Sequence, residues 1–368
     1  MKRQATLIVA IAALGSAGCS TPAGAAALHP PPGFMSAVRH EKASLRDCPA
    51  DAPPYTAVLD FPSKYEGSDK ARDDLNPKAE REYRRRIAPI TAFERGVSRQ
   101  VDDYLRGGKP EALDCALQLL HAWSRADALE NEAKTHTGKS MRKWTLSSVA
   151  SSYVRLKFSS SQPLREIDPA MLRDIEAWLA RMGERVVADW RDQPVNKINN
   201  HEYWAAWAVT ATAIALDRRD LFDWGLSQYR VATTQIDERG FLPNELARDT
   251  RALYYHNYAL APLAMIAAFA QTNGIDVTTA NDHAVERLAR RVLSGIDDPQ
   301  AFEDRTGDEQ LVDELEEHSK LAWLEPYCWT FACDADLSER LEDLRPLKST
   351  RLGGNVSELF SIRPDHPG

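Results

Sequence analysis

The sequence predicts an all-α fold of paired helices, and three observations carry that prediction. From Lys78 onward, apolar residues recur with helical spacing almost throughout, and strand-like alternation over several residues is nearly absent. Short turn signals, such as Gly107-Gly108 before Pro110 and Asn273-Gly274, separate the helical stretches. A succession of helices joined by short connections is typical of stacked helical hairpins.

The first segment, residues 1–27, has the composition of an export signal. A short basic start precedes an apolar stretch from Thr6 to Gly15, and small residues follow it. Cleavage near Ala25 would release a periplasmic protein, whereas cleavage before Cys19 would leave a lipid-modified cysteine. Release is favoured because Ser16 stands where a lipid-attachment signal usually has Leu. No later apolar run approaches the roughly 20 residues that a membrane span needs.

The remaining residues, 28–368, are predicted to form one domain in three parts. Residues 28–77 are rich in Pro and polar side chains and should form an extended arm with a lid, 78–345 should form the helical body, and 346–368 a C-terminal tail. The helices are predicted at about 78–106, 110–128, 139–158, 168–189, 200–216, 219–237, 250–272, 280–296 and 309–331.

Tryptophans among small residues indicate closely packed helices. Trp204 and Trp207 lie three positions apart among alanines, so we interpret them as core residues. Trp144 follows two basic residues, and could either pack in the core or stack on a sugar ring. Helical hairpins arranged in a ring would leave a central groove for a long polymer, but the helical pattern alone does not predict ring closure.

Four cysteines remain beyond residue 27: Cys48, Cys115, Cys328 and Cys333. An even number in an exported chain favours disulfides. Cys328 with Cys333 would close a local loop, and Cys48 with Cys115 would tie the arm to the body. This is one of three possible pairings, and the spacing does not choose among them. A metal site is disfavoured because there is no CxxC and the histidines lack ligand spacing.

The chain carries a net charge of −8, which becomes more negative by two when Lys2 and Arg3 leave with the signal. This charge disfavours nucleic acid as a partner, since phosphate binding needs a basic stripe. An acidic ligand would need a local basic cleft. Candidates for that cleft are Lys64, Lys139, Arg142, Lys143, Arg248 and Arg251.

The stretch from Asn199 to Trp204, read with Arg248 and Tyr255, brings together an amide, an imidazole, a guanidinium and a phenol. Amide and guanidinium groups donate hydrogen bonds to a carboxylate. A phenol can transfer protons, and a cation such as Arg248 or a charged His201 would lower its pKa. The set suits β-elimination on a uronic acid, in which a bound carboxylate is neutralised while the neighbouring carbon loses a proton.

Spacing supports this grouping modestly. Positions 248, 251, 255 and 258 would share one face of a helix, unless Asp249 or Thr250 caps it and leaves Arg248 in a loop. An ordinary polar face with salt bridges to Glu245 or Asp249 is the alternative. Two further segments have alternatives of the same kind. One is a solvated loop or part of an anion-binding site, at His136 to Trp144, and the other is a surface turn or part of that site, at Ser63 to Asp69.

Many long strings of this sequence resemble the periplasmic alginate lyases of polysaccharide lyase family 5, the poly(β-D-mannuronate) lyases. These strings, in order between about Pro30 and Phe360, are SKYEGSD, HTGKSMRKW, VRLKFSSS, KINNHEYWAAW, RRDLFDW, GFLPNEL, RALYYHNYALAPLAMIAAFAQ and AWLEPYC. The resemblance implies an incomplete α/α toroid with a deep substrate cleft and no metal or organic cofactor. It also implies eliminative cleavage of mannuronate-rich alginate.

The resemblance also implies roles for single residues. Asn200, His201 and Arg248 would neutralise the substrate carboxylate. Tyr255 would be the catalytic tyrosine, and it is favoured over His201 as the base. The implied substrate contacts are Ser63, Lys64 as a lid lysine, His136, Thr137, Arg142 and Tyr254. Two small departures are Glu202, where some relatives have Ser, and Tyr254, where some have Ala.

We therefore expect a monomeric periplasmic enzyme that removes stray alginate during its synthesis and export, and that could associate with export-complex proteins. A non-catalytic alginate-binding scaffold of the export complex is the rival. A glycoside hydrolase would need two carboxylates about 5–10 Å apart in the cleft, and the matched strings supply no such pair.

Overall fold

The computed structural model describes residues 26–42, 46–49, 52–65, 67, 71–315, 317–331 and 333–362. Residues 1–25 of the predicted export signal, including Cys19, lie outside the described residues. The helices are α1 (Pro77–Gly107), α2 (Pro110–Arg125), α3 (His136–Phe158), α4 (Pro169–Trp190), α5 (Asn200–Leu216), α6 (Arg219–Gln235), α7 (Pro243–Leu246), α8 (Ala252–Thr272), α9 (Ala280–Asp297), α10 (Gln300–Thr306), α11 (Leu324–Thr330), α12 (Ala335–Leu344) and α13 (Val356–Leu359). The first turn of α9 is irregular, because residues 281–283 have positive φ.

Shorter elements connect these helices. The 3-10 helices are Pro32–Met35, Val195–Lys197, Asp249–Arg251, Val312–Leu315, His318–Leu321 and Thr350–Leu352. Strands β1 (Lys348–Ser349) and β2 (Gly354–Asn355) pair antiparallel, with Lys348 opposite Asn355. Within the described residues these two short strands form a single small sheet and the rest of the regular structure is helical. The all-α prediction is therefore confirmed.

The helices form an incomplete α/α toroid. An inner series packs side by side, with α1 against α3, α3 against α5, α5 against α8 and α8 against α11. An outer series covers it: α2 packs on α1 and α4, α4 on α3 and α5, α6 on α5, and α9 on α6 and α8. Alternation of inner and outer helices along the chain aligns the inner helices in one direction. Their amino-terminal ends therefore meet at the same end of the toroid.

Burial separates the two series. Helices α5 and α8 are apolar on all sides and almost wholly buried, whereas α2, α4 and α6 bury one face. The interpretation of Trp204 and Trp207 as core residues is confirmed, since they are 3% and 0% exposed. Helix α6 approaches α5 closely at Gly225, where an added Cβ would lie 2.2 Å from the Thr210 hydroxyl oxygen.

The predicted helix at 309–331 is wrong. This stretch contains two 3-10 helices and only then α11, which begins at Leu324. Pro326 lies in the first turn of α11, where a helix tolerates the missing N–H, but in the middle of a longer helix it would clash with the preceding turn. The helix predicted from residue 250 begins as α8 at Ala252, after the 3-10 helix Asp249–Arg251.

The arm crosses the amino-terminal end of α3. Leu59 accepts a backbone hydrogen bond from Lys134 at 3.1 Å and donates one to Glu132 at 2.8 Å. A Cβ on Gly138, in the first turn of α3, would lie 2.1 Å from the Leu59 carbonyl oxygen. Glycine at this position therefore lets the arm approach the helix, and it brings Ser63 and Lys64 to the same end of the toroid.

The described part of the predicted C-terminal tail packs into the body. Leu347, Leu352 and Val356 are at most 1% exposed. The 3-10 helix Thr350–Leu352 packs on α1, α3 and α8, and the Trp207 indole N–H donates to the Arg351 carbonyl at 2.8 Å. This segment therefore reaches the interior of the toroid.

Two disulfides join Cys48 to Cys115 and Cys328 to Cys333. The first ties the arm to α2, and the second closes the local loop after α11. In the described ranges, no helix has both the length and the apolar character required to cross a membrane.

Candidate active site

A cleft of about 310 Å³ opens where the amino-terminal ends of α3, α5 and α8 meet. It is lined by Ser63, Lys64, Tyr65, Arg72, Tyr83, His136, Thr137, Ser140, Trp144, Asn200, His201, Arg251, Tyr254, Tyr255, Tyr258, Lys320 and Arg351. Eight of the ten predicted site residues are among them. The amino-terminal ends of helices carry partial positive charge and favour a bound anion.

Two sides of this cleft differ in chemistry, and we name them separately. The imidazole wall comes from α3 and α5 and comprises His136, Ser140, Asn200 and His201, together with the buried Lys143 behind them. The tyrosine wall comes from α8 and the turn before it and comprises Arg248, Arg251, Tyr254 and Tyr255.

His201, in the first turn of α5, is held on several sides. Its ring stacks on Trp190, with ring centroids 5.7 Å apart and 3° between the planes, and lies edge-on to His136 at 4.4 Å. Its Nδ1 lies 2.9 Å from Lys143 Nζ and 3.1 Å from Ser140 Oγ. Lysine as an ammonium has only N–H donors, so Nδ1 accepts. With Lys143 as an ammonium, this contact assigns the proton of the neutral ring to Nε2.

His201 is neutral. Burial lowers its pKa well below 6.5, and the nearby positive charge of Lys143 lowers it further. The expectation that a charged His201 assists Tyr255 is therefore wrong. A neutral imidazole with its proton on Nε2 can still donate one hydrogen bond to a carboxylate.

Lys143 is completely buried and supports this arrangement. Its Nζ also donates to the His201 carbonyl at 2.8 Å and lies 3.5 Å from the Trp190 ring centroid. Burial lowers its pKa well below 10.5, and the negative charge of Glu202 opposes that effect. Burial likewise raises the pKa of Glu202 to about 7. The departure noted at Glu202 thus places an acid beside Lys143 in the interior.

Asn200 is fixed by a buried carboxylate. Its backbone N–H and its side-chain amide donate to Glu245 Oε1 at 2.6 Å and 2.9 Å. Glu245 Oε2 lies 3.9 Å from the Nε of Arg248. Asn200 and Glu245 are both 0% exposed. Glu245 therefore links the first turn of α5 to the loop that carries Arg248.

Arg248 lies in a loop outside α8, as in the capped alternative, but Arg251 rather than Asp249 or Thr250 occupies the N-cap of α8. It is not among the described residues that line the cleft, but its Cζ is 4.8 Å from the Tyr255 ring centroid. The Cζ of Arg251 is 5.2 Å from the same ring. Burial raises the pKa of Tyr255 above 10.0, and Arg251 and Arg248 oppose this rise. The cations act in the expected direction, but burial outweighs them.

Arg251 also holds the arm against α8. Its guanidinium donates to Glu314 at 2.6 Å, to the Tyr65 hydroxyl at 3.1 Å and to the Arg72 carbonyl at 2.8 Å. The adjacent Thr250 hydroxyl donates to Asp73 at 2.6 Å. These contacts keep the arm segment that carries Ser63 and Lys64 over the cleft.

The prediction for Arg142 needs correction. Its guanidinium donates to the carbonyls of Leu129 and Asn131 and pairs with Asp189, and the side chain is 3% exposed. All three nitrogens are thus engaged within the protein. Arg142 therefore holds the loop before α3 and is not among the described residues that line the cleft.

The cleft combines hydrogen-bond donors and cations with a phenol. Among the described residues that line it, none is Asp or Glu. A hydrolase that uses paired carboxylates finds no such pair here. An anion could be bound by Asn200, His201 and the basic side chains, with the Tyr255 hydroxyl nearby for proton transfer.

The family described as alginate lyase matches residues 60–302. The chain belongs to the alginate lyase family.

Its relatives in this family are similar over nearly their whole length. The chain is 53% identical to an alginate lyase of Pseudomonas aeruginosa PAO1, with 92% of each chain covered, and 50% identical to one of Cobetia marina, with 93% and 91% covered. Among solved structures it is similar to alginate lyase A1-III from Sphingomonas species A1, with a TM-score of 0.72, 24% identity and 90% of each chain covered. A tetrasaccharide complex of an A1-III variant has a TM-score of 0.73, with 24% identity and 88% of each chain covered. These structures confirm the toroid.

Several residues at the site were missed by sequence reasoning. The sequence indicated Glu245 only as a possible salt-bridge partner, although it lies three residues before Arg248 and therefore close to the predicted site. Lys143 was predicted only as a candidate for the basic cleft, and the sequence did not indicate its contact with His201. Arg72, Lys320 and Arg351 reach the cleft from distant parts of the chain, and no local pattern marks them.

Proposed function

We propose that the protein depolymerises alginate by β-elimination at β-D-mannuronate linkages. The observation that carries the proposal is the placement of Asn200 and His201 on one wall of a cleft and Tyr255 on the other, with Arg248 next to Tyr255. The products would be oligosaccharides with 4-deoxy-hex-4-enopyranuronosyl non-reducing ends.

The first task is to neutralise the carboxylate at C5 of the bound uronate. The Asn200 amide, His201 Nε2–H and the Arg248 guanidinium would donate to its oxygens. When the C5 proton leaves, charge moves onto that carboxylate, and these donors then bind it more strongly. Donors aimed at developing charge contribute on the order of 3 kcal/mol each.

The second task is proton transfer, which we assign to Tyr255. As a phenolate it takes the proton from C5, the C5–H electron pair forms the C4=C5 double bond, and the C4–O bond breaks. The phenol then gives its proton to the departing glycosidic oxygen. In β-D-mannuronate the C5 hydrogen and the C4 oxygen lie on the same side, so one tyrosine can serve both steps. Arg248 and Arg251 favour the phenolate electrostatically.

The rest of the cleft would hold the neighbouring sugars. Ser63, Lys64, His136, Thr137 and Tyr254 all line it. Lys64, on the arm, would act as a lid over the anionic polymer, and its replacement by Ala should weaken activity without unfolding. We also propose that the protein is a periplasmic monomer that removes stray alginate during export and that it could associate with export-complex proteins.

The test is incubation with polymannuronate while ultraviolet absorbance from unsaturated ends is followed. Rising absorbance is expected, and polyguluronate of equal length should give a much slower rise. Saturated ends, or no cleavage at all, would reject the proposal. Binding without turnover would instead support the non-catalytic scaffold.

A further inference from the structure

A second groove, of about 660 Å³, runs along the exposed side of α1. We call it the α1 groove. Its basic lining residues are Arg46, Lys64, Arg84, Arg95 and Arg99, and Asp47 is the acidic one. Residues 84, 88, 92, 95 and 99 recur at helical spacing, so they share one face of α1. Ala88, Ala92 and Gly96 form a floor of small residues between the arginines.

The α1 groove continues the cleft. Lys64 and Tyr83 line both spaces. Arg95 lines both the α1 groove and a third cavity of about 510 Å³ beside Arg351, which also lines the cleft. A polymer held in the cleft could therefore pass directly into the α1 groove.

The charges of the α1 groove are only partly neutralised. Arg46 pairs with Asp103 at 2.8 Å, and Arg84 pairs with Glu80 at 2.7 Å. Arg95 and Arg99 are exposed and form no ion pair within the part of the chain that the structure describes. The protein carries a net charge of −8, so its overall field repels a polyanion. These guanidinium groups provide a local exception beside the cleft.

We propose that the α1 groove binds a stretch of the same polyuronate chain beyond the sugars in the cleft, with carboxylates paired to Arg95 and Arg99. The proposal rests on the proposed function, because it takes alginate as the polymer. Adjacent arginines four positions apart on a helix lie about 6 Å apart along the axis. A polymer with one carboxylate per sugar can present a series of charges to them. Long chains would thus bind more tightly than short ones.

The experiment compares the wild type with the double variant R95Q/R99Q. Gln keeps the helix and removes both charges. For polymannuronate the KM should rise about three- to tenfold, since each exposed ion pair contributes modestly, and kcat should stay unchanged. For the shortest oligomannuronate that is cleaved, KM should not change. Added salt should raise the polymer KM of the wild type more than that of the variant.

R165Q/R173Q is the matched control. Arg165 and Arg173 are exposed, on or just before outer helix α4, and line none of these three cavities. This variant has the same net charge as R95Q/R99Q. Because its substitutions lie outside the α1 groove, it should keep the wild-type KM. An equal rise in KM for the control, an equal rise for the shortest oligomer, or no rise for the polymer would overturn the proposal.

Retardation of each protein in a gel containing polymannuronate separates this proposal from the proposed function. If the wild type cleaves nothing, the proposed function fails, yet the gel still compares binding. Weaker retardation of R95Q/R99Q than of both the wild type and R165Q/R173Q would support the α1 groove. Equal retardation of all three would reject it.

Discussion

The imidazole wall and the tyrosine wall face the same cleft, but their side chains are held in different ways. On the imidazole wall, buried partners fix the two donor groups: Glu245 accepts a hydrogen bond from the Asn200 amide, and Lys143 contacts the neutral ring of His201. On the tyrosine wall, Tyr255 lies beside Arg248 and Arg251 at about 5 Å, and no carboxylate among the described residues hydrogen-bonds to its hydroxyl.

This difference corresponds to the two parts of an elimination reaction. Stabilising a carboxylate needs hydrogen-bond donors at fixed positions. Neutral donors can be buried there without the large desolvation cost of burying an ion. Moving a proton needs a group whose charge can change, and neighbouring cations favour its anionic form. Variants that affect only one wall should therefore change different properties of the enzyme.

The largest effect should come from Tyr255→Phe on the tyrosine wall. The ring and its packing remain, but both proton transfers lose their group. We expect kcat to fall on the order of 10³-fold, with KM and thermal stability near those of the wild type. Steady-state rates on polymannuronate measure this.

Tyr254→Phe is the matched control, because it removes a neighbouring hydroxyl that also lines the cleft. Its loss should be less than tenfold. In the wild type, kcat/KM should increase with pH through the neutral range, since burial raises the pKa of Tyr255 and the phenolate is the base that we propose. A flat profile, or a Phe variant near wild-type rate, would show that the base is another group.

On the imidazole wall, His201→Ala should lower kcat on the order of 10²-fold, because one preorganised donor to the carboxylate is lost. The pH dependence of the remaining activity should keep the shape set by Tyr255. His136→Ala removes the adjacent ring and should mainly raise KM. If His201→Ala instead abolished the pH dependence, His201 would be the base and the assignment of the two walls would be reversed.

His256 follows Tyr255 in α8, and its buried ring makes the stability of the fold sensitive to acid. It is 0% exposed, its Nε2 accepts from the Leu242 N–H at 2.8 Å, and its Nδ1 lies 2.7 Å from the Ala252 carbonyl. Burial lowers its pKa to about 4, from 6.5. The folded state therefore binds this proton less readily than the unfolded state. The stability it contributes is complete above about pH 6.5 and is lost as the pH falls toward 4.

The size of this loss is about 3 kcal/mol of unfolding free energy, from 1.36 kcal/mol per pKa unit. Urea unfolding of the wild type and of His256→Asn, at several pH values between 4 and 7, measures it. The variant should be less stable at pH 7, but its stability should decline less steeply with acid. Parallel curves for the two proteins would exclude His256 as the source.

The sequence was sufficient for the regular inner helices and for the residues at their amino-terminal ends. Helix α5 was predicted at its observed bounds because it is apolar on every side, and Asn200 and His201 follow from its start. Arg142 was placed wrongly, although helix geometry could have excluded it. Residues 136, 140 and 144 share the face of α3 that lines the cleft, and at about 100° per residue Arg142 lies on the opposite side.

Other parts of the site depend on long-range packing. Arg351 reaches the cleft because the chain returns after α12 and inserts a 3-10 helix between α1, α3 and α8. Its local sequence contains no signal for that position. The neutral state of His201 likewise follows from burial beside Lys143, which only the folded chain creates.

Apart from the control variants, the smallest effect on kcat is expected for Lys143→Met, which is also the sharpest test of the imidazole wall. Met occupies similar volume but cannot donate to His201 Nδ1, so the ring loses the contact that places its proton on Nε2. We expect kcat to fall about tenfold, close to the lower limit for one hydrogen bond to a charged group, while KM changes little. Met removes one partner of the buried pair Lys143 and Glu202, which by itself would lower stability, so the rates are compared well below the thermal unfolding midpoint of each protein. The fall in rate would then not reflect unfolding.

The decisive measurement is the nitrogen NMR spectrum of the His201 ring. In the wild type, Nε2 should show a bound proton and Nδ1 should not, and Lys143→Met should give a mixture of the two forms. Ser140→Ala removes the other group near Nδ1, at 3.1 Å, and should have a smaller effect, because the lysine contact remains. If Lys143→Met lowered the rate and left the spectrum unchanged, the lysine would act through packing against Trp190. Contacts within α5 would then be what keeps the proton of the His201 ring on Nε2.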